Sequence, residues 1–181
     1  SKATVESGSS SVLAQGGIAV ALGEGDSPEL HAKDTLTVAC GLGDPEITAL
    51  VTAEGPARIE ELITLGAELD RDDDGSLALG REAAHQRRRI VHASGDATGA
   101  ELVRTLARAT RGQRRIRIDE GILVLDLLLD NGRVTGVAAV DRQGKRHVYL
   151  AGNVVLASGG TGQLWSFTTN PQESTADGLA M

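Results

Sequence analysis

The chain has 181 residues, which is enough for one ordinary domain with its own hydrophobic core. Its 23 glycines follow no repeat and branched aliphatic residues are plentiful, so a collagen-like repeat and a disordered acidic tail are excluded. The formal net charge of -7 argues against a polyanion or an anionic membrane as partner and favours a small soluble substrate. Cys40, the single cysteine, is expected to be a buried small residue in a reduced, cytoplasmic protein.

Two helices are predicted in the first part of the chain. Asp-Ser-Pro at 26–28 combines capping side chains with a proline, and Asp-Pro at 44–45 repeats that pattern. We therefore predict helices over 28–39 and 45–65. Gly-Pro at 55–56 predicts that the second helix is broken or kinked.

The middle of the chain combines a polar segment with a third predicted helix. Residues 70–92 are charged and lack clear periodicity, which is typical of a loop at the surface or lining a site. Thr98 and Glu101 have the spacing of a capping box, and apolar residues then recur at helical intervals. This pattern predicts a helix over 99–110.

The last third consists of short runs of Ile, Val and Leu, which are typical of strands. Turn residues at 130–132 and 143–144 predict a three-stranded antiparallel meander over 122–150. Further strands are predicted at 115–119 and 153–157. The last of these runs directly into glycines, as strands do where α/β proteins hold nucleotides.

Two glycine clusters would let the backbone approach a phosphate or a flat ring, because glycine has no Cβ. One is Gly16 with Gly17, which follow Gln15, and the other lies at 159–162. Neither matches the dinucleotide fingerprint G-x-G-x-x-G, so each on its own is better explained by a turn.

An acidic segment matches the opening of a calcium-binding loop. Asp70, Asp72, Asp74 and Gly75 have the D-x-D-x-D-G spacing. The twelfth position, where such loops need a bidentate glutamate, is Arg81. The pattern therefore favours a solvated acidic turn over a calcium site.

The densest cluster of ionisable residues, here called the basic loop, predicts either a site for an anionic small molecule or a charged surface loop. No aromatic residue accompanies its arginines, which disfavours nucleic acid, and its two histidines lack further ligands for a metal. No G-x-S-x-G elbow supports serine hydrolase chemistry. The basic loop consists of Arg81, Glu82, His85, Arg87, Arg88, Arg89 and His92.

Three segments in the same order carry a resemblance to a known family. They are SSVLAQGGIA at 10–19, GREAAHQRRRIVHASGDATG at 80–99 and VVLASGGTGQLWSFTTNPQESTAD at 154–177. The chain resembles the L-aspartate oxidases, which belong to the flavoprotein superfamily of succinate dehydrogenase and fumarate reductase. The first and last motifs are general to that superfamily, whereas Arg-Glu-x-x-His-x-x-Arg-Arg-Ile-x-His-Ala is specific to the oxidases.

The resemblance implies an α/β fold: a Rossmann-like FAD-binding domain with an antiparallel β-meander and helical insertions. Residues 1–181 would form a partial FAD-binding domain that is incomplete at both ends. The dinucleotide fingerprint would lie before Ser1. The capping domain, with the main catalytic His and Arg residues, would lie beyond Met181.

The resemblance also implies which residues bind FAD. Lys2 would lie beside the adenosine, at the end of a Rossmann strand, and the loop from Ser10 would wrap the pyrophosphate and the flavin edge. Leu123 and Val124 would meet the adenine, and a return strand at 158–160 would lie against the dinucleotide. The implied FAD-binding residues are Lys2, Ser10, Ser11, Val12, Leu13, Ala14, Gln15, Gly16, Gly17, Leu123, Val124, Ser158, Gly159, Gly160 and Asp177.

Near the substrate, the resemblance implies that Glu82 orients a catalytic arginine and that His85 lies in the substrate's vicinity. Ser10 stands where the dehydrogenase branch has the histidine that carries flavin covalently, so FAD would be held noncovalently. Ala83 and Ala84 stand where glycine is commoner in the family. This small change is not expected to abolish the site.

The implied function is FAD-dependent oxidation of L-aspartate to iminoaspartate, the first step of NAD biosynthesis through quinolinate. Oxygen or fumarate would accept the electrons, and quinolinate synthase is the implied partner. Two alternatives remain open. One is a flavoprotein subunit of fumarate reductase or succinate dehydrogenase, against which Ser10 and the basic loop count. The other is an inactive folded fragment that serves only as a binding module.

Overall fold

The computed structural model describes residues 1–181, which form two compact units. Unit 1 is built from the two ends of the chain, Ser1–Val12 and Thr110–Met181. Unit 2 is the continuous segment Leu13–Ala109. Across the chain, none of the helices has both the length and the apolar character that crossing a membrane requires.

Unit 2 contains the two helices predicted from the Asp-Pro signals. Helix α1 spans Pro28–Val38, and the Ser27 hydroxyl accepts a hydrogen bond from a backbone amide of its first turn at 3.3 Å. Helix α2 spans Pro45–Thr64, and the Asp44 carboxylate accepts from two first-turn amides at 2.9 and 3.1 Å. Both predicted helices are confirmed, together with their capping residues.

Helix α2 continues through Pro56, so a break there is wrong, whereas the alternative of a kink stays a prediction. A proline inside a helix removes one backbone hydrogen bond at a cost of about 3 kcal/mol. Ile59, one turn later, is buried in the core of unit 2, and its packing favours the continuous helix.

The turn between α1 and α2 contains Cys40, which is exposed and not buried as expected. Its backbone has φ 49°, a left-handed conformation that ends the helix. Leu42 in the same turn is 94% exposed. The sequence pattern missed this because Cys40 directly follows the apolar end of a helix.

A small antiparallel sheet brings distant parts of unit 2 together. Its strands are β1 (Ile18–Ala19), β2 (Leu79–Gly80) and β3 (Ile90–Val91), in the order β1-β3-β2. The loop predicted over 70–92 is therefore wrong at β2 and β3, since strands of two residues carry no detectable periodicity. The core of buried residues around this sheet consists of Val20, Ile59, Leu69, Val91 and Ala93.

Helix α3 spans Thr98–Arg111, which confirms the third predicted helix. The capping box does not form. The Thr98 hydroxyl instead accepts a hydrogen bond from the Ala93 amide at 3.2 Å, and the Glu101 carboxylate accepts one from the Glu68 amide at 2.6 Å. Both side chains therefore tie the helix to neighbouring segments.

Unit 1 contains the predicted meander, which is confirmed. Strands β4 (Ile122–Asp130), β5 (Arg133–Asp141) and β6 (Arg146–Leu150) pair antiparallel in that order. Asn131 and Gly132 both have positive φ, 49° and 77°, as a two-residue hairpin turn with the right twist requires.

The two other predicted strands, at 115–119 and 153–157, are not strands in the structure, because neither segment pairs with another. Val155 is accordingly 88% exposed. Ser1 and Lys2 do not form a strand either, although the Ser1 carbonyl accepts a hydrogen bond from the Ile122 amide. The remaining short elements are the 3-10 helices Ser10–Leu13 and Gly162–Leu164 and helix α4, Asp177–Ala180.

Candidate functional site

A cavity of about 420 Å³ in unit 1 gathers residues from distant parts of the sequence. The polypeptide comes back to this cavity in several separate segments, including the start of β4 and the turn before α4. Nine of the predicted FAD-binding residues line it: Lys2, Ser10, Ser11, Leu123, Val124, Ser158, Gly159, Gly160 and Asp177.

Lys2 and Asp177 form an ion pair at the wall of this cavity. The Lys2 ammonium donates to the Asp177 carboxylate and to the Thr175 hydroxyl, each at 2.5 Å. The hydrogen bond from Lys2 lowers the pKa of Asp177, so that this carboxylate stays ionised at neutral pH. The pair thus fixes two polar side chains against the space in which a ligand would lie.

The cavity fits a nucleotide cofactor in two respects. An added Cβ at Gly159 would meet nothing within 4 Å, and at Gly160 only the Asn170 side chain, 3.9 Å away, so ligand atoms can approach this backbone. The Ser9 hydroxyl is buried without a hydrogen-bond partner, which is costly unless a ligand supplies one. Gly162 differs, because its Cβ would lie 2.5 Å from Asn170, and it serves packing alone.

Several residues that line the cavity were not predicted from the sequence. Ser9 is the most informative of them, and its position next to Ser10 and Ser11 in a serine run was the available signal. Val12 was included among the predicted residues but does not line the cavity. The other missed lining residues are Ser1, Ala3, Gly8, Ile122, Ala157, Glu173, Ser174 and Met181.

The loop at 10–17 that is predicted to wrap the pyrophosphate and the flavin edge is here called the flavin loop. Unit 2 brings its second half, residues 13–17, together with Glu82. The His92 imidazole is 3.0 Å from the Glu82 carboxylate. An added Cβ on Gly17 would lie 2.9 Å from one carbon of that ring, and one on Gly80 would lie 2.9 Å from another. His92 therefore fills the space between these two glycines and holds Glu82, whose side chain is 51% exposed.

The segment Leu13–Gly17 is anchored by few contacts. The Ala14 carbonyl accepts a hydrogen bond from the Gly99 amide at the start of α3, and the Gln15 amide nitrogen donates to Asp96 at 3.3 Å. Gly16 has open space within 4 Å of where a Cβ would lie, whereas Gly17 has φ 76° and close neighbours. The two glycines therefore have different structural roles.

The arginines of the basic loop have unequal roles. Arg89 is fully buried and binds Asp26 through two hydrogen bonds, at 2.9 and 2.8 Å. Arg88 donates to the Leu79 carbonyl at 3.0 Å. Arg81 and Arg87 are exposed and form no ion pair. The interpretation of the basic loop as a charged surface loop is therefore wrong only for Arg89, which is buried.

Two carboxylates of the acidic segment at 70–75 accept hydrogen bonds from other groups of the protein. Asp70 accepts hydrogen bonds from the Ser94 and Gly95 amides at 2.8 and 2.9 Å. Asp74 accepts from the amide and hydroxyl of Ser76 at 2.9 and 2.7 Å. No three His, Cys, Asp or Glu side chains in the chain are grouped so that they could hold a metal ion.

Comparison with known protein families identifies the cofactor. The profile of the FAD binding domain matches residues 1–181. The chain belongs to this family. As an FAD-binding domain it takes the cofactor that the resemblance implied, and that prediction is confirmed.

The similar curated proteins are L-aspartate oxidases. That of Streptomyces coelicolor is 49% identical over 99% of this chain, and those of Mesorhizobium japonicum and Bacillus subtilis are 47% and 42% identical over 100% and 96%. The resemblance inferred from the motifs is thus confirmed. These alignments cover 32–35% of each relative, so the FAD-binding domain described here spans about a third of their length.

Solved structures show the same fold in the wider superfamily. A quinol fumarate reductase from E. coli matches 99% of this chain with a TM-score of 0.94 at 29% identity, covering 31% of that chain. Sdh1 of Mycobacterium smegmatis matches 99% with a TM-score of 0.90 at 32% identity, covering 32% of that chain. The roles of individual site residues stay predictions.

Proposed function

We propose that the whole protein is an L-aspartate oxidase. The proposal rests on the identity to L-aspartate oxidases and is carried by one geometric observation: His92 links Gly17 of the flavin loop to Glu82 of the oxidase motif. A carboxylate held at 3.0 Å from an imidazole beside that loop is suited to orienting a polar group of the substrate or a catalytic side chain.

We further propose that residues 1–181 supply part of a Rossmann-like FAD-binding domain. Other parts of the whole protein would then contribute the dinucleotide fingerprint and the capping domain, in keeping with relatives about three times as long. Lys2 would contact the nucleotide with the ammonium hydrogen that Asp177 and Thr175 do not use, and Gly159 and Gly160 would let the backbone approach it. Ser10 cannot form the bond that a histidine forms to flavin, so the cofactor would be noncovalent.

Bound FAD would supply the redox chemistry: the α-hydrogen of L-aspartate would leave as hydride to the cofactor while the amino group releases a proton, which gives iminoaspartate, and the electrons would pass on to oxygen or fumarate. Glu82 would orient a catalytic arginine that lies outside this chain and would not itself remove a proton. His85 would lie near the substrate. A cytoplasmic location and delivery of iminoaspartate to quinolinate synthase follow from the same proposal.

The test uses the whole protein and compares two substrates. We expect hydrogen peroxide on addition of L-aspartate in air and no oxidation of succinate. Oxidation of succinate without oxidation of L-aspartate would instead assign the protein to the fumarate reductase and succinate dehydrogenase branch. A whole protein that retains no flavin after purification and titration with FAD would refute the proposal and favour an inactive binding module.

A further inference from the structure

Arg89 is the most completely buried charged side chain of unit 2, with no exposed surface. Its guanidinium forms a two-pronged ion pair with Asp26, at 2.9 and 2.8 Å, and its third nitrogen lies 3.2 Å from Asp34. Such a cluster is stable only when every charge is paired, because removing one partner leaves a buried charge unsatisfied. Both carboxylates come from the α1 region, 63 residues away from Arg89 in the case of Asp26.

The same carboxylates hold the basic loop. Asp34 accepts a hydrogen bond from the Gln86 amide at 2.8 Å with the oxygen that also faces Arg89. At the end of the loop, the Arg89 amide donates to the Gly80 carbonyl at 2.9 Å. The segment 81–88 is therefore closed at its base by backbone hydrogen bonds and held in its middle by α1.

Arg89 also constrains His85. One nitrogen of its guanidinium lies 3.5 Å from Nδ1 of His85, which places the two side chains in contact. His31 packs edge-on against His85, with ring centroids 5.4 Å apart. Burial, reinforced by Arg89, lowers the pKa of His31, which therefore adds no positive charge beside the guanidinium.

We propose that Asp26, Arg89 and Asp34 form a positioning assembly that fixes the basic loop, so that half-buried His85 and the exposed guanidinium groups of Arg81 and Arg87 are held in place for a carboxylate of the substrate. The guanidinium of Arg89 is fully engaged in ion pairs with Asp26 and Asp34 and does not bind substrate itself. Arg81 and Arg87, which have no partner within the protein, remain as the guanidinium groups that can face an anion. This inference rests on the proposed function for its choice of substrate.

The decisive variant is Asp34→Asn in the whole protein, because Asn keeps the shape of the side chain and removes its charge. Replacing Arg89 would instead risk the fold. We expect the KM for L-aspartate to rise about tenfold with kcat within about twofold, as loss of one charge-assisted hydrogen bond would produce. Flavin content is expected to stay unchanged. Hydrogen exchange of the amides at 82–88 is expected to accelerate about tenfold, while exchange within α2 does not change.

Asp44→Ala is the matched control, since it removes the cap of α2 and lowers stability without touching the basic loop. A merely structural role for Asp34 predicts that both variants change stability alike and leave KM and loop exchange as in the wild type, and this result would overturn the inference. If the wild-type protein fails to oxidise L-aspartate, the proposed function fails. Hydrogen exchange still decides whether the assembly holds the loop.

Discussion

Gly17 offers a sharp test of the structure, because its lack of a side chain is required by the protein itself. Its φ is 76°, and an added Cβ would lie 2.6 Å from both the Val91 carbonyl oxygen and a methyl carbon of Ile90. Val91 cannot move away, because it is buried and pairs with both β1 and β2. Alanine at position 17 would therefore be strained whatever else the segment binds.

The expected loss of folding stability in Gly17→Ala has two contributions. A left-handed conformation costs an ordinary residue about 1–2 kcal/mol, and overpacking against a fixed neighbour costs about 1–3 kcal/mol. We expect Gly17→Ala to lower the free energy of unfolding by roughly 2–5 kcal/mol. Urea denaturation of the cofactor-free protein, followed by circular dichroism, measures this loss.

Gly16→Ala is the matched control, since Gly16 has ordinary φ and no atom within 4 Å of the added Cβ. Its stability without cofactor is expected to change by less than about 0.5 kcal/mol. If Gly16 contacts FAD, as the resemblance implies, titration with FAD will show at least about tenfold weaker binding. Equal destabilisation by the two variants, or wild-type stability of Gly17→Ala, would refute the reasoning.

Two further predictions concern carboxylates. A hydrogen bond from Arg104 lowers the pKa of Glu101 from 4.5 to about 2, so its stabilisation is complete above pH 4.5 and is lost as pH falls towards 2. Glu101→Gln should therefore be less stable near neutral pH and show a shallower loss in acid denaturation. Glu82→Gln should lower turnover of L-aspartate roughly 10- to 100-fold in the whole protein with flavin content kept. Loss of flavin in that variant would identify Glu82 as a structural residue instead.

The sequence allowed prediction of features that depend on neighbouring residues. The capping signals before Pro28 and Pro45 and the Asn-Gly turn at 131–132 correctly predicted helices α1 and α2 and the first hairpin, because their hydrogen bonds and φ values are local. The resemblance likewise named Lys2 and Asp177, which lie together although they are far apart in the chain.

Features that depend on tertiary contacts could not be predicted. Arg87 and Arg89 lie in the same run of arginines in the sequence. Only the packing of the α1 region against the basic loop buries Arg89, whereas Arg87 stays exposed. The strand predicted at 153–157 has the right composition, yet a strand needs a partner, and none pairs with it. Whether a glycine serves packing, as Gly17 does, or leaves space open, as Gly16 does, is invisible without the neighbouring atoms.

The cavity of unit 1 has a thermodynamic consequence. Its walls come mainly from segments near both ends of the chain, together with the start of β4, and several of these segments lack regular secondary structure. A ligand that contacts all of them at once acts as a reversible crosslink between the two ends. At a hundred times its dissociation constant, it would add about 2.7 kcal/mol to the stability of the folded state. If FAD occupies this cavity as proposed, its loss would loosen residues 1–12 and 153–181 together and expose both to proteolysis in a single step.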